Sequence, residues 1–424
     1  MTTAFPTRGE TAIVGAGQAG LTMSALLGAA GRDHVLLERR EELGGGWRDR
    51  WDAFRLVTPG WTTGMLGWPY DGDDPDGFVP RDVIAGRVAA YAGRIGAPVV
   101  TGVDVRRVTM RPLGGFRLET SQGTLDADQV ILATGGFHRP HMPTMAGELP
   151  ARVLSLHSHY YRREPDLPPG GVLVVGSAQS GVQLAEELHA AGRDVYLAVG
   201  SAGRVPRRYR GRDIFVWLAL LVDRGEELGV ALPTADKLPH PSRRYAGNPH
   251  LSGHRGGQEI NLRALGRGGI TLLGRLEAID GQRVRLADDL GANLDFADRF
   301  FRERFQNDID ELAIRAGIDA PPADPSPAVD FDPPIVRELD LADRGIGTVL
   351  WTSGYRQDWS WIEPPIADEL GFARQADGVV TDVPGLFVIG SLWQRDQASA
   401  TLFGVQRDAR RLAARMGIDS TLAS

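Results

Sequence analysis

Two glycine-rich turns carry the clearest chemistry in this 424-residue chain. The first is Gly15-Ala16-Gly17-Gln18-Ala19-Gly20. It follows a short apolar, β-prone run over residues 11–14 and precedes a stretch of helical period over residues 21–30. Residues 34–37 then read as a second buried strand, which ends at Glu38. In such a unit Gly15 permits the tight turn, Gly17 lets the backbone approach a pyrophosphate, and Gly20 lets helix and strand pack closely. The N–H groups that open the helix, with the positive end of its dipole, favour phosphate. Glu38 stands 23 residues beyond Gly15, where a carboxylate accepts from ribose hydroxyls. A lone turn of this kind is weak evidence; strand, turn, helix, strand and acid in order make a dinucleotide-binding unit.

The second turn is Gly176-Ser177-Ala178-Gln179-Ser180-Gly181, between a strand over 171–175 and a helix over 182–191, with the next strand over 195–199. Ala178 replaces the middle glycine. No acid ends the following strand: Val199 stands there, and Ser201, Arg204, Arg207 and Arg208 follow. An acid would select NADH through the 2′-hydroxyl, whereas arginines accommodate a 2′-phosphate, so the reading is NADPH. The bland alternative is a solvated basic loop. Gly44-Gly45-Gly46-Trp47 suggests close approach to a cofactor with an aromatic wall, or else a glycine-rich loop beside a core tryptophan.

The elements that must hold these turns imply an α/β fold with two Rossmann-like dinucleotide-binding domains, the second inserted in the first. Strands are expected over 129–132, running into Ala133-Thr134-Gly135, over 348–351 and over 386–389, with a last helix over 398–416. Residues 140–169 and 319–334 read as connections. The expected domains are 1–160 with 340–424, and 161–339. Net charge is −7, which argues against a nucleic-acid partner. The longest apolar run, residues 214–222, is too short for a membrane span, and no leader is visible, so a cytoplasmic location is expected. The chain has no cysteine, which removes dithiol chemistry and thiolate-bound metals. His138, His141, His157 and His159 come with no ordered carboxylate pattern, so no metal is expected.

Taken in order, these pieces resemble the flavin-containing monooxygenase superfamily, the class B flavoprotein monooxygenases. The match runs through Gly15 to Gly20 with Glu38, Gly45-Gly46-Trp47, Ala133-Thr134-Gly135, His157-Ser158-His159-Tyr160-Tyr161, Gly176 to Gly181, Thr352-Ser353-Gly354-Tyr355 and Pro384-Gly385-Leu386-Phe387-Val388-Ile389-Gly390, almost the whole chain. The resemblance implies FAD in the first domain and NADPH in the second. It implies reduction of flavin by NADPH, addition of O2 at flavin C4a, and transfer of one oxygen from the resulting (hydro)peroxide to a small molecule. It departs from the family at Ala151 and Val153, where the linker fingerprint has Phe and Gly, and at Gly60, where related chains often carry an Asn facing the flavin. Loss of that donor leaves room for an oxidase that releases peroxide.

Gly390, Gly354 and Tyr355 are expected at the cofactors. Trp61, Asn248 and Trp393 are the catalytic candidates: Trp61 as a pocket wall or plain core, Asn248 in a polar loop at the substrate entrance or an ordinary surface loop, and Trp393 with the start of the last helix at the flavin pyrimidine ring. A flavin disulfide reductase is excluded by the missing cysteines. A non-catalytic flavin-binding protein is disfavoured by the retained second turn.

Overall fold

The computed structural model describes residues 5–137, 139–323 and 329–418. The first apolar run becomes an interior strand of a mixed sheet and runs parallel to both of its neighbours. Strand β1 (Arg8–Val14) leads through the first turn into helix α1 (Gln18–Ala29) and strand β2 (His34–Leu37). Strand β3 (Gly123–Leu132) lies on the other side of β1, with Ala12 opposite both Val35 and Val130. Being flanked on both sides and covered on both faces explains why β1 carries a continuous apolar run instead of alternation. Helix α1 is buried from Ala19 to Leu27 and can be, because its residues are small or apolar.

The chain then crosses into a second unit. Strand β4 (Leu154–His157), strand β5 (Gly171–Val175), helix α2 (Gln179–Ala190) and strand β6 (Val195–Ala198) follow. Helix α3 (Ile214–Leu228), strand β7 (Thr271–Leu273) and strand β8 (Ile346–Trp351) complete its frame. This sheet runs in the order β7-β6-β5-β8-β4, all parallel. Strand β9 (Leu386–Val388) returns to the first sheet beside β3, and helix α4 (Gly404–Arg415) packs on α1.

Two expectations need correction. The expected connection over 140–169 contains β4, which adds to the edge of the second sheet by pairing with β8. Both β4 and β8 therefore pair within the second sheet. The pairing joins segments some 190 residues apart, which local composition does not report. The last helix starts at Gly404 and not at 398. Short side chains hold the preceding residues in turns: Asp396 accepts from Ala398 N, and Thr401 donates to the Ala398 carbonyl and accepts from Gly404 N. The apolar run at 214–222 opens α3, and among the described residues no helix is long and apolar enough to cross a membrane.

The chain crosses between the units twice, and the two crossings pair. Arg139–Pro140 and Tyr355–Arg356 form a two-stranded antiparallel ribbon. The amide of His141 donates to the Gly354 carbonyl at 2.9 Å.

Candidate functional site

The first turn sits at the carboxyl ends of β1 and β3, where ligands of parallel sheets bind. Gly15 has φ +103°, and a Cβ there would lie 2.6 Å from the Ala133 carbonyl oxygen. A Cβ on Gly20 would run into the Gly15 carbonyl. At Gly17 the nearest atom is the Gly45 Cα at 3.9 Å, and at Gly46 nothing lies within 4 Å, so the space there is open. Glu38 is buried and held by two amides, Ala16 N at 2.9 Å and Arg40 N at 3.0 Å. Arg40 in turn pairs with Asp49. Each Glu38 oxygen keeps acceptor capacity for a hydroxyl.

Around the turn lies a trough of about 460 Å³. Its walls bring together Gly15, Gly17, Gln18, Ala19, Glu38, Gly46, Trp47, Ala133, Thr134, Gly135 and Gly390, all expected from sequence, with Gly20 behind them under the helix. Gln18 fastens the far end: its amide accepts from Trp47 Nε1 at 2.9 Å and donates to the Ala400 carbonyl at 3.2 Å. Sequence reasoning missed Arg40, Asp49, Val105, Asp358 and Trp361, which also line the trough. They belong to no motif, and Asp358 arrives paired with Arg139 from another part of the chain.

The second turn repeats the backbone of the first. Gly176 has φ +107°, its amide donates to the Ala198 carbonyl as Gly15 N does to Leu37, and a Cβ on Gly181 would strike the Gly176 carbonyl. Where the first turn clamps a carboxylate, this one has a hydroxyl: Ser177 Oγ accepts from Gly200 N at 3.0 Å. Ala178 meets the backbone of Gly247, and Gln179 N donates to the Asn248 carbonyl at 3.2 Å. Asn248 thus caps α2 from its exposed loop with its main chain. Next to it His250 is fully buried, and burial pushes its imidazole down to about 4 despite the Ser177 backbone beside it.

The arginines expected beyond the second strand separate. Ser201 is exposed. The Arg204 guanidinium is held by Glu259 at 2.7 Å and Asp298 at 3.1 Å. Arg207 is buried, paired with Asp213 and donating to the Val57 carbonyl. Arg208 lines a different cavity that shares no residue with the second turn.

Of the catalytic candidates, neither Trp61 nor Trp393 lines the trough. Both are half-buried, and Trp393 has φ +54°, a strained backbone for a bulky residue. The trough wall at the last segment is Ala400, in the turns before α4. Gly60 is crowded: a Cβ would lie 3.0 Å from the Asp74 carbonyl and 3.2 Å from the Tyr70 ring.

At the crossing ribbon, His157 is buried. Its Nδ1 accepts from His159 N at 3.0 Å, so Nε2 carries the proton and donates to the Gly354 carbonyl at 3.0 Å. Burial holds its pKa down at about 4 against that hydrogen bond. Tyr355 packs edge-on against Phe137, a trough residue, with ring centroids 5.5 Å apart. Burial raises the Tyr355 hydroxyl. His141 and His159 lie at this same junction; His138 is outside the described residues.

Residues 12–211 match the family model described as pyridine nucleotide-disulphide oxidoreductase. A Geobacillus kaustophilus protein named as an uncharacterised CzcO-like oxidoreductase is 27% identical over 95% of this chain and 97% of its own length. Indole-3-pyruvate monooxygenase YUCCA1 of Oryza sativa is 28% identical over 49% of this chain and 52% of its own. The flavin-containing monooxygenase of Stenotrophomonas maltophilia superposes with a TM-score of 0.67 at 18% identity, covering 97% of this chain and 98% of its own. Over nearly its whole length the chain shares the fold of the flavin-containing monooxygenases, and over less than half of it the chain is similar in sequence to curated members of that group. The relatives that match it over nearly its whole length are named as oxidoreductases, and a Kutzneria ornithine N-hydroxylase of the same fold, 13% identical with a TM-score of 0.62, was solved with reduced FAD and NADP+. The glycine cradle, the amide-held Glu38 and the open trough fit a dinucleotide of that kind, and the absence of cysteine separates the chain from dithiol reductases.

Proposed function

We propose that the chain is a flavoprotein of the flavin-containing monooxygenase superfamily, with FAD and NADPH as cofactors, and that it couples NADPH oxidation to the insertion of one oxygen atom from O2 into a small molecule at nitrogen, sulfur or a carbonyl carbon. The second oxygen leaves as water. Bound FAD supplies the hydride acceptance and oxygen activation; the chain supplies placement. Gly15, Gly17 and the first amides of α1 receive the FAD pyrophosphate, Glu38 orients the ribose, and Trp47, Ala133, Thr134, Gly135 and Gly390 wall the trough. The second turn, Gly176 to Gly181, with Ser201, Gly354 and Tyr355, receives NADPH.

The observation that carries this reading is the repeated turn. Two glycine turns of matching backbone stand at the carboxyl ends of parallel strands in two sheets, and only the first clamps an acid. The second thus lacks the group that would select a 2′-hydroxyl.

Anaerobic reduction of the flavin-loaded protein by NADPH, followed by mixing with O2 in a stopped-flow spectrometer, tests it. A transient band to the blue of oxidised flavin, ahead of the oxidised spectrum, is expected. Direct return to the oxidised spectrum with one peroxide per NADPH would mean an oxidase. That second reading rests on Gly60, which has no side chain to donate a hydrogen bond and is crowded by Tyr70 and the Asp74 carbonyl.

A further inference from the structure

A second cavity of about 230 Å³ lies apart from the trough, walled by Asp76 and Phe78 on one side and by Arg207, Arg208, Arg212 and Asp213 on the other. The arginines ride on a hairpin whose strands, Arg208–Tyr209 and Arg212–Asp213, pair in antiparallel register. The hairpin is rigid. Its turn residues Arg210 and Gly211 both have positive φ, and Arg210 and the Tyr209 hydroxyl converge on the Asp310 carboxylate. Trp217 Nε1 donates to the Tyr209 carbonyl beneath it at 2.7 Å.

The charges of this cavity do not balance. Asp213 is consumed: it accepts from Arg207 and caps α3 through Phe215 N. Arg207 is consumed with it and lies over the Phe78 ring at 4.3 Å. Arg208 and Arg212 are exposed and have no ion pair among the described residues; Arg212 has only the Trp217 ring, at 5.6 Å. Asp76 faces them as the one remaining acid of the lining. Two guanidiniums held on a fixed hairpin, beside an aromatic face, form a receptor for a planar anion.

The cavity is also tied to the loop that sequence assigns to the flavin face. Gly60 N donates to the Gly77 carbonyl at 2.7 Å and Trp61 N to the Pro75 carbonyl at 2.8 Å, so the wall bearing Asp76 and Phe78 is bonded to that loop. From the other side Arg207 donates to the Val57 carbonyl at 2.8 Å.

We propose that Arg208 and Arg212 hold the carboxylate of an acidic small-molecule substrate. This deepens the oxygenase reading and rests on it. A phosphate would suit the same pair, so the 2′-phosphate of NADPH is the source that the experiment must separate.

Phenylacetate and its neutral isostere phenylacetamide serve as probes, titrated calorimetrically into the flavin-loaded protein and into its R208Q/R212Q and R208K/R212K variants. The acid should bind at least about tenfold more tightly than the amide to the unsubstituted protein, as one charged pair of roughly 1.4 kcal/mol or more requires. That margin should vanish in the glutamine variant and return in part with lysine. Equal binding of acid and amide, or a margin that survives R208Q/R212Q, overturns the proposal. So does a KM for NADPH that rises in the glutamine variant while the KM for NADH stays fixed, since the pair would then serve the 2′-phosphate. Calorimetry needs no turnover: if NADPH fails to reduce the flavin, the oxygenase reading falls while the anion site is judged by its own data.

Discussion

Glu38 and His157 show how much a single side chain depends on what holds it. Glu38 was legible because its spacing from Gly15 is part of a local unit, and the unit folds as one piece. Arg204 was not legible. Its partners Glu259 and Asp298 lie 55 and 94 residues away, so an arginine that looks available in sequence is already neutralised in space. The histidines at the crossing were visible as residues, but their role was not, because it depends on a carbonyl 197 residues away. Since burial lowers the His157 pKa to about 4 from the usual 6.5, the unfolded chain takes up a proton between those values and the folded one does not. Stability from this group is complete above pH 6.5 and is lost as pH falls toward 4. Between pH 7 and pH 5 the loss is about 2 kcal/mol. Urea titrations at both pH values should show that drop in the native protein and a drop smaller by about that amount in His157→Asn. An equal drop in both would remove His157 from the account.

At the scale of elements, the two turns were read correctly as to place, and their helices begin as early as Gln18 and Gln179, inside the turn motifs themselves. Helical period could not report this, because glycine, alanine and serine carry no amphipathic signal. The last helix was misplaced for the opposite reason: Ser399, Thr401 and Leu402 continue an apparent period while local side-chain bonds hold the chain in turns. Matching collisions at Gly20 and Gly181 allow the two turns to be switched off separately. Overpacking of this kind costs roughly 1–3 kcal/mol, so binding at the affected turn should weaken about tenfold or more. Gly20→Ala should purify with little flavin. Gly181→Ala should stay yellow and be bleached by dithionite, yet be reduced far more slowly by NADPH. Normal NADPH reduction in Gly181→Ala would refute the role given to the second turn.

For the whole molecule, the insertion of one unit in another was legible, and the strand pairing at the edge of the second sheet was not. Strands β4 and β8 carry no motif; they are recognised as partners only once they lie side by side. The core ignores the boundary altogether. One continuous apolar cluster runs from Leu21 and Leu26 of α1, through Trp51 and Tyr161, to Val174 and Leu188 of the second unit. A shared core of this kind couples the two sheets in unfolding. Heating the flavin-loaded protein should release flavin fluorescence and lose far-ultraviolet circular dichroism at the same midpoint. Two separated midpoints would show that the units melt independently.

The paired crossing has a consequence for how such a chain could be assembled. Because Arg139–Pro140 and Tyr355–Arg356 run side by side, everything between them enters and leaves through one doorway one strand spacing wide. Strands β3 and β9, which flank the gap in the chain, are already hydrogen-bonded neighbours. By connectivity the second unit is a cassette, exchangeable without rethreading the host sheet; by packing it is welded in place. A transplanted cassette would therefore keep its topology at once and would need its buried face rebuilt before it kept its stability.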